Sequence, residues 1–129
     1  MLDDKMYDSI IEKKSFEFSV RIYDLHKYLV EEKKEYILSK QVLRSGTSIG
    51  ANIAEGERGQ SKADFYAKMS IALKEANETD YWLRLLGATN CLTQSQLSSL
   101  QTDLSEIIAL LISICKSTQI NLNKPNDLK

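Results

Sequence analysis

Arg44-Ser45-Gly46-Thr47-Ser48-Ile49-Gly50-Ala51-Asn52-Ile53-Ala54-Glu55-Gly56 lies between two long amphipathic segments, where a solvent loop would be ordinary. Its residues nevertheless keep a helical period. Leu38, Val42, Ile49 and Ile53 share one face, and Gln41, Ser45, Ser48, Asn52 and Glu55 share another at steps of three and four. Gly46, Gly50 and Ala54 form a third stripe spaced by four. Two glycines inside a helix cost roughly 2 kcal/mol together relative to alanine. A stripe of small residues offsets that cost if another helix approaches more closely than the usual 8–10 Å. The stretch therefore reads as a helix built for packing, and it holds no catalytic device.

Working outward, the same period defines three more helices. The first is expected from about residue 15 to 32, with Phe18, Ile22, Leu25 and Leu29 on its core face and Val20, Tyr23 and Tyr28 widening its apolar side. Glu31 to Glu35 is a charged, solvated turn. The second helix spans about 36–57, with Gly56 and Gly59 placed to end it. The third, about 62–90, opens on a partial capping box, Ser61-Lys62-Ala63-Asp64. Its seam runs Phe65, Met69, Ala72, Ala76, Thr79, Leu83, Leu86. The fourth, about 94–119, opens on Thr93-Gln94-Ser95-Gln96 and carries Leu97, Leu100, Leu104, Ile107, Leu111 and Ile114. Ile108, Ile112 and Cys115 add a second apolar stripe, more than one partner helix can cover. Residues 120–129, with the only proline, Pro125, read as a tail. Long helices and short turns pack antiparallel with their neighbours, so the expected fold is all-α: one domain, an antiparallel up-down-up-down four-helix bundle.

Composition agrees with this and excludes several functions. The chain has 129 residues, 43% hydrophobic and 27% charged, with five glycines and one proline. A net charge of −1 argues against a surface wholly devoted to nucleic acid, although 17 lysines and arginines leave room for a local patch. The start is charged and lacks an apolar leader, and the longest apolar run is Ile107–Ile112. A cytoplasmic protein with no membrane segment is expected. Cys91 and Cys115 lack metal-site spacing and read as reduced thiols. His26 is the only histidine, and Tyr23 stands where a Glu-x-x-His pair would need its glutamate. The glycines miss phosphate-loop spacing and follow no strand. No enzyme, metal or cofactor is expected.

Two other clusters carry the functional expectations. Glu75 and Glu78, with Asp80, face Arg44, Ser48 and Asn52 across the second and third helices, as a polar layer that sets register or as a ligand- or partner-facing site. Tyr81 and Trp82 point about 100° apart on a helix, which places one at a rim or subunit interface. Lys40, Arg44, Arg58 and Lys62 are the best candidate phosphate contacts, and repetition of a weak basic patch in an oligomer raises affinity for a polyanion.

The run Gln41 to Gly56, with the block Glu75-Ala76-Asn77-Glu78-Thr79-Asp80-Tyr81-Trp82-Leu83, resembles the signature of the S23 ribosomal protein family, the 23S rRNA intervening-sequence proteins. The similarity covers roughly residues 16–117. It implies a four-helix bundle assembled as a ring-like homopentamer in bacteria, with RNA binding the usual conjecture and no enzymatic activity. The accessory protein of diversity-generating retroelements is similar in fold. From these readings the chain is expected to be a non-enzymatic homo-oligomer associated with rRNA or another structured RNA. A scaffold binding a partner protein and a bundle with a small-ligand pocket at the Glu75–Trp82 layer are the alternatives.

Overall fold

In the computed structural model, which describes residues 9–123, four α-helices are joined by short turns. They are α1 (Ile10–Glu31), α2 (Leu38–Glu57), α3 (Lys62–Ala88) and α4 (Gln94–Asn123). Each packs mainly on its neighbours in sequence, and α1 meets α4 only sparsely, giving the antiparallel bundle.

Helix α1 begins five residues before the expected start. Ser9 is its N-cap and accepts the Glu12 amide at 3.1 Å. Ile11, buried, extends the core stripe backwards: Ile11, Ser15, Phe18, Ile22, Leu25, Leu29 alternate steps of four and three. The polar Ser15 in that stripe hides its continuity in the sequence. Val20 and Tyr23 do not widen the core: they are 49% and 54% exposed, beside Phe16 at 69%.

The charged turn is more than solvated. The Glu35 carboxylate accepts the Ser39 amide at 2.7 Å and the Ile37 amide at 3.3 Å, so it caps α2, which starts at Leu38 rather than Tyr36. At the other end of α2 no left-handed glycine stops the helix, because no glycine among the described residues has positive φ. Gly56 is buried inside the helix instead. A Cβ there would stand 3.0 Å from Lys68 Cβ and 3.2 Å from Met69 Cε, so its value is close approach of α3.

Ser61 caps α3 through the Asp64 amide at 3.1 Å. The helix ends at Ala88 rather than residue 90, because Asn90 turns left-handed (φ 63°) and closes it with Asn90 N–H to Gly87 O and Cys91 N–H to Leu86 O. Thr93 and Gln96 form a reciprocal capping box at the start of α4, with distances of 3.1 and 2.8 Å. Helix α4 runs on to Asn123, past the expected end at 119; the remainder of the expected tail, 124–129, lies outside the described residues.

The core is apolar and continuous, with Phe18, Ile22, Leu29, Val42, Ile49, Ile53, Met69, Leu83, Leu86, Leu104, Ile107 and Leu111 all but fully enclosed. The sparse α1–α4 seam is bridged by polar contacts. Arg21 donates to Asp103 at 2.7 Å and to Ser99 Oγ at 2.9 Å, and Lys14 pairs with Glu106 at 3.1 Å.

Candidate functional site

Helices α2 and α3 bring the expected polar layer together. Arg44 of α2 reaches Glu75 of α3 at 3.3 Å and makes a second ion pair with Glu78. Glu78 also accepts the Trp82 indole N–H at 3.0 Å, one turn further along α3. Beneath this layer the Thr79 and Ser45 hydroxyls, both buried, lie 2.9 Å apart, and the Thr79 hydroxyl is also 2.8 Å from the Glu75 carbonyl oxygen. Arg44 thus bridges two carboxylates, leaving the layer one negative charge, and the contacts across the two helices fix the register of α2 on α3. Ser48 and Asn52 turn inward along their own helix, donating to Arg44 O at 2.6 Å and Ser48 O at 2.9 Å. Glu55 pairs with Lys68 at 2.8 Å.

The small-residue stripe faces α1. A Cβ on Gly46 would lie 2.8 Å from Ile22 Cγ1, and one on Gly50 would lie 3.1 Å from Ser19 Oγ and 3.2 Å from Ser15 O. Ala54 lies on the same side and lines, with Gly50 and Ala51, an open groove of about 960 Å³ between α1 and α2. Phe16 stands on its opposite wall. Phe16 was not foreseen as part of any surface, although the spacing Phe16–Val20–Tyr23 is a helical stripe on the side opposite the core face.

The four candidate phosphate contacts do not form one patch. Lys40 and Arg44 sit near the start of α2, Arg58 and Lys62 just beyond its end. Helical rise separates Lys40 from Glu57 by about 26 Å. Arg58 pairs with Glu12 at 3.1 Å and donates to Ala54 O at 2.9 Å. Lys40 and Lys62 are exposed and make no ion pair among the described residues.

Tyr81 and Trp82 meet edge to face, their ring centroids 5.2 Å apart. Tyr81 is half exposed, with the Arg84 guanidinium 5.7 Å from its ring centre, while Trp82 is drawn inward by Glu78. Arg84 is held by Asp80 at 3.1 Å, and Asp80 also accepts Gln101 of α4 at 3.1 Å. The second apolar stripe of α4 is covered in part: Ile108 and Cys115 are half-buried against the core, and Ile112 faces outward. Ile112 is 43% exposed, and Ile120 is 63% exposed.

His26 places Nδ1 3.1 Å from Ser39 O, tying α1 to the start of α2. Cys91 and Cys115 are free, half-buried thiols. Among the described residues no group of three or more His, Cys, Asp or Glu side chains could hold a metal ion.

A family model described as 23S rRNA-intervening sequence protein matches residues 7–113. A crystal structure from Bacteroides thetaiotaomicron, of a protein of unknown function from the S23 ribosomal protein family, is 59% identical, with a TM-score of 0.82. The similarity covers 83% of this chain and 99% of that one. Comparison with curated proteins finds no match.

Proposed function

Because the chain belongs to the 23S rRNA-intervening sequence protein family, we propose that it is a non-enzymatic, homo-oligomeric protein that binds structured RNA in the cytoplasm. The family's link to 23S rRNA carries this reading. Of the four candidate contacts, Lys40 and Lys62 are exposed and have no carboxylate partner among the described residues, so they supply its phosphate contacts, and an oligomer, the homopentamer that the resemblance implies, repeats them. Arg44 and Arg58 contribute less, since a phosphate must compete with Glu75, Glu78 and Glu12 for them.

A membrane role fits less well. Helix α4 is long and apolar enough to cross a membrane by length and composition, but Leu100, Leu104, Ile107 and Leu111 from it are in the core. A ligand pocket at the Glu75–Trp82 layer is also disfavoured, because Arg44 and the indole already answer its carboxylates. Capture of a partner protein is favoured by one observation, the exposure of Phe16, Ile112 and Ile120.

Fluorescence anisotropy with a structured rRNA stem-loop and a scrambled duplex, across salt from about 50 to about 300 mM, tests the proposal. Sub-micromolar affinity at physiological salt is expected, falling steeply as salt rises. Lys40→Ala and Lys62→Ala should each lower the salt slope by about 1 per site engaged, with Arg44→Ala doing less. Absence of binding to either RNA at physiological salt overturns the reading.

A further inference from the structure

We infer that the reversal between α1 and α2 is where the RNA is read: an unpaired nucleotide stacks on Tyr36 while Lys33, Lys34 and Lys40 hold the flanking phosphates. The inference deepens the function proposed above and rests on it. Tyr36 is 53% exposed and Ile37 beside it 73%, so the turn presents an aromatic ring and an apolar neighbour to water. Lys33, Lys34 and Lys40 are exposed, and none makes an ion pair among the described residues.

Lys34 gives an independent sign. Its φ of 55° lies in the left-handed region, which glycine and asparagine adopt with less strain than lysine. At the α3–α4 reversal, on the same end of the bundle, the left-handed residue is Asn90. A lysine where the backbone disfavours one points to a use for its charge. The chain beneath it is pinned from both helices. The Lys33 and Glu35 amides donate to Tyr28 O at 3.3 Å and Leu29 O at 2.8 Å, and the Glu35 carboxylate accepts the Ile37 and Ser39 amides. His26 Nδ1, 3.1 Å from Ser39 O, adds a further tie to α1. A ring carried on a fixed turn needs little ordering when a base stacks on it.

Charge chooses an unpaired nucleotide over a duplex. Glu35 is committed to backbone amides, which leaves exposed Glu31 and Glu32 against the three lysines. So narrow a positive excess does little for a duplex, whose bases are stacked away and whose phosphates must be held by charge alone. An unpaired base adds stacking on the ring, which every base can supply.

Fluorescence anisotropy on the full chain tests this with a labelled RNA stem-loop and a blunt duplex of the same stem. The wild type should prefer the stem-loop. Tyr36→Ala should weaken stem-loop binding about tenfold and abolish the preference, and Tyr36→Phe, which keeps the ring, should retain most of the affinity. Lys34→Gly should raise the melting temperature while weakening binding several-fold, an opposition that a purely structural lysine would not show. A wild type that binds neither RNA overturns this inference together with the RNA reading. Stem-loop binding left intact by Tyr36→Ala overturns the inference alone, as does equal loss in Tyr36→Ala and Tyr36→Phe. Lys34→Gly that binds like the wild type removes the lysine from the site and overturns the phosphate contact. Light scattering and circular dichroism on the same samples guard the interpretation. If Tyr36→Ala lowers the oligomer mass with its helices intact, the ring belongs to a contact between copies and the inference falls.

Discussion

The glycines of α2 and α3 separate two meanings of the same residue type. At Gly46 an added Cβ would meet the enclosed, branched Ile22 at 2.8 Å from Cγ1 and 2.9 Å from Cγ2, with no room to turn aside. Overpacking of this kind typically costs 1–3 kcal/mol, against about 1 kcal/mol that alanine gains over glycine as a helix former. Gly46→Ala should therefore destabilise by up to about 2 kcal/mol. At Gly87 the obstacle is Leu97 Cδ2 at 2.7 Å, the far end of a flexible, half-buried side chain that can rotate. Gly87→Ala should be neutral or stabilising. Chemical denaturation of both variants decides; equal losses would show that the Ile22 contact yields as easily as Leu97 does. The sequence displays both glycines on helical period, but only their neighbours distinguish a close approach from an incidental gap.

The helices owe their ends to local chemistry, and most of it is readable. Ser61 and Thr93 announce the starts of α3 and α4 three residues before Asp64 and Gln96. Each start depends on one side-chain oxygen for an otherwise unpaired amide, so Ser61→Ala and Thr93→Ala should each lower stability by about 1 kcal/mol. Thr93→Ser should recover most of its loss; thermal melts followed at 222 nm provide the check. Where the sequence misleads, a cap or a core residue of unexpected type is responsible. Ser15 interrupts an apolar stripe although it is buried, its hydroxyl satisfied by the Glu12 carbonyl at 3.1 Å. Glu35 sits inside a run of charges yet caps α2, because that run ends where the chain reverses through Lys34 (φ 55°).

For the molecule as a whole, the seams are unequal. Sequence neighbours share apolar faces, whereas α1 and α4 are joined sparsely and largely by ion pairs that salt weakens. The last turns of α4 bury no side chain fully beyond Leu111. In hydrogen exchange, amides from about residue 116 to 123 should therefore exchange faster than those of Leu100–Leu111 in dilute protein. Raising protein concentration should protect them if a second copy covers this face; protection unchanged by concentration would count against that cover. Four helices, their antiparallel order and the pairing of the family's signature helix with a neighbour follow from the sequence alone, because a period of 3.6 with few breakers admits little else. Tertiary structure alone decided between two roles for the same charge. From the sequence Arg44 reads both as a phosphate contact and as the residue opposite Glu75 and Glu78; the ion pairs across α2 and α3 commit it to the second, while Lys40, on the same helix, remains unpaired among the described residues. Periodicity records which side of a helix is apolar, but a charge is committed only by what the neighbouring helix places within a few ångströms of it.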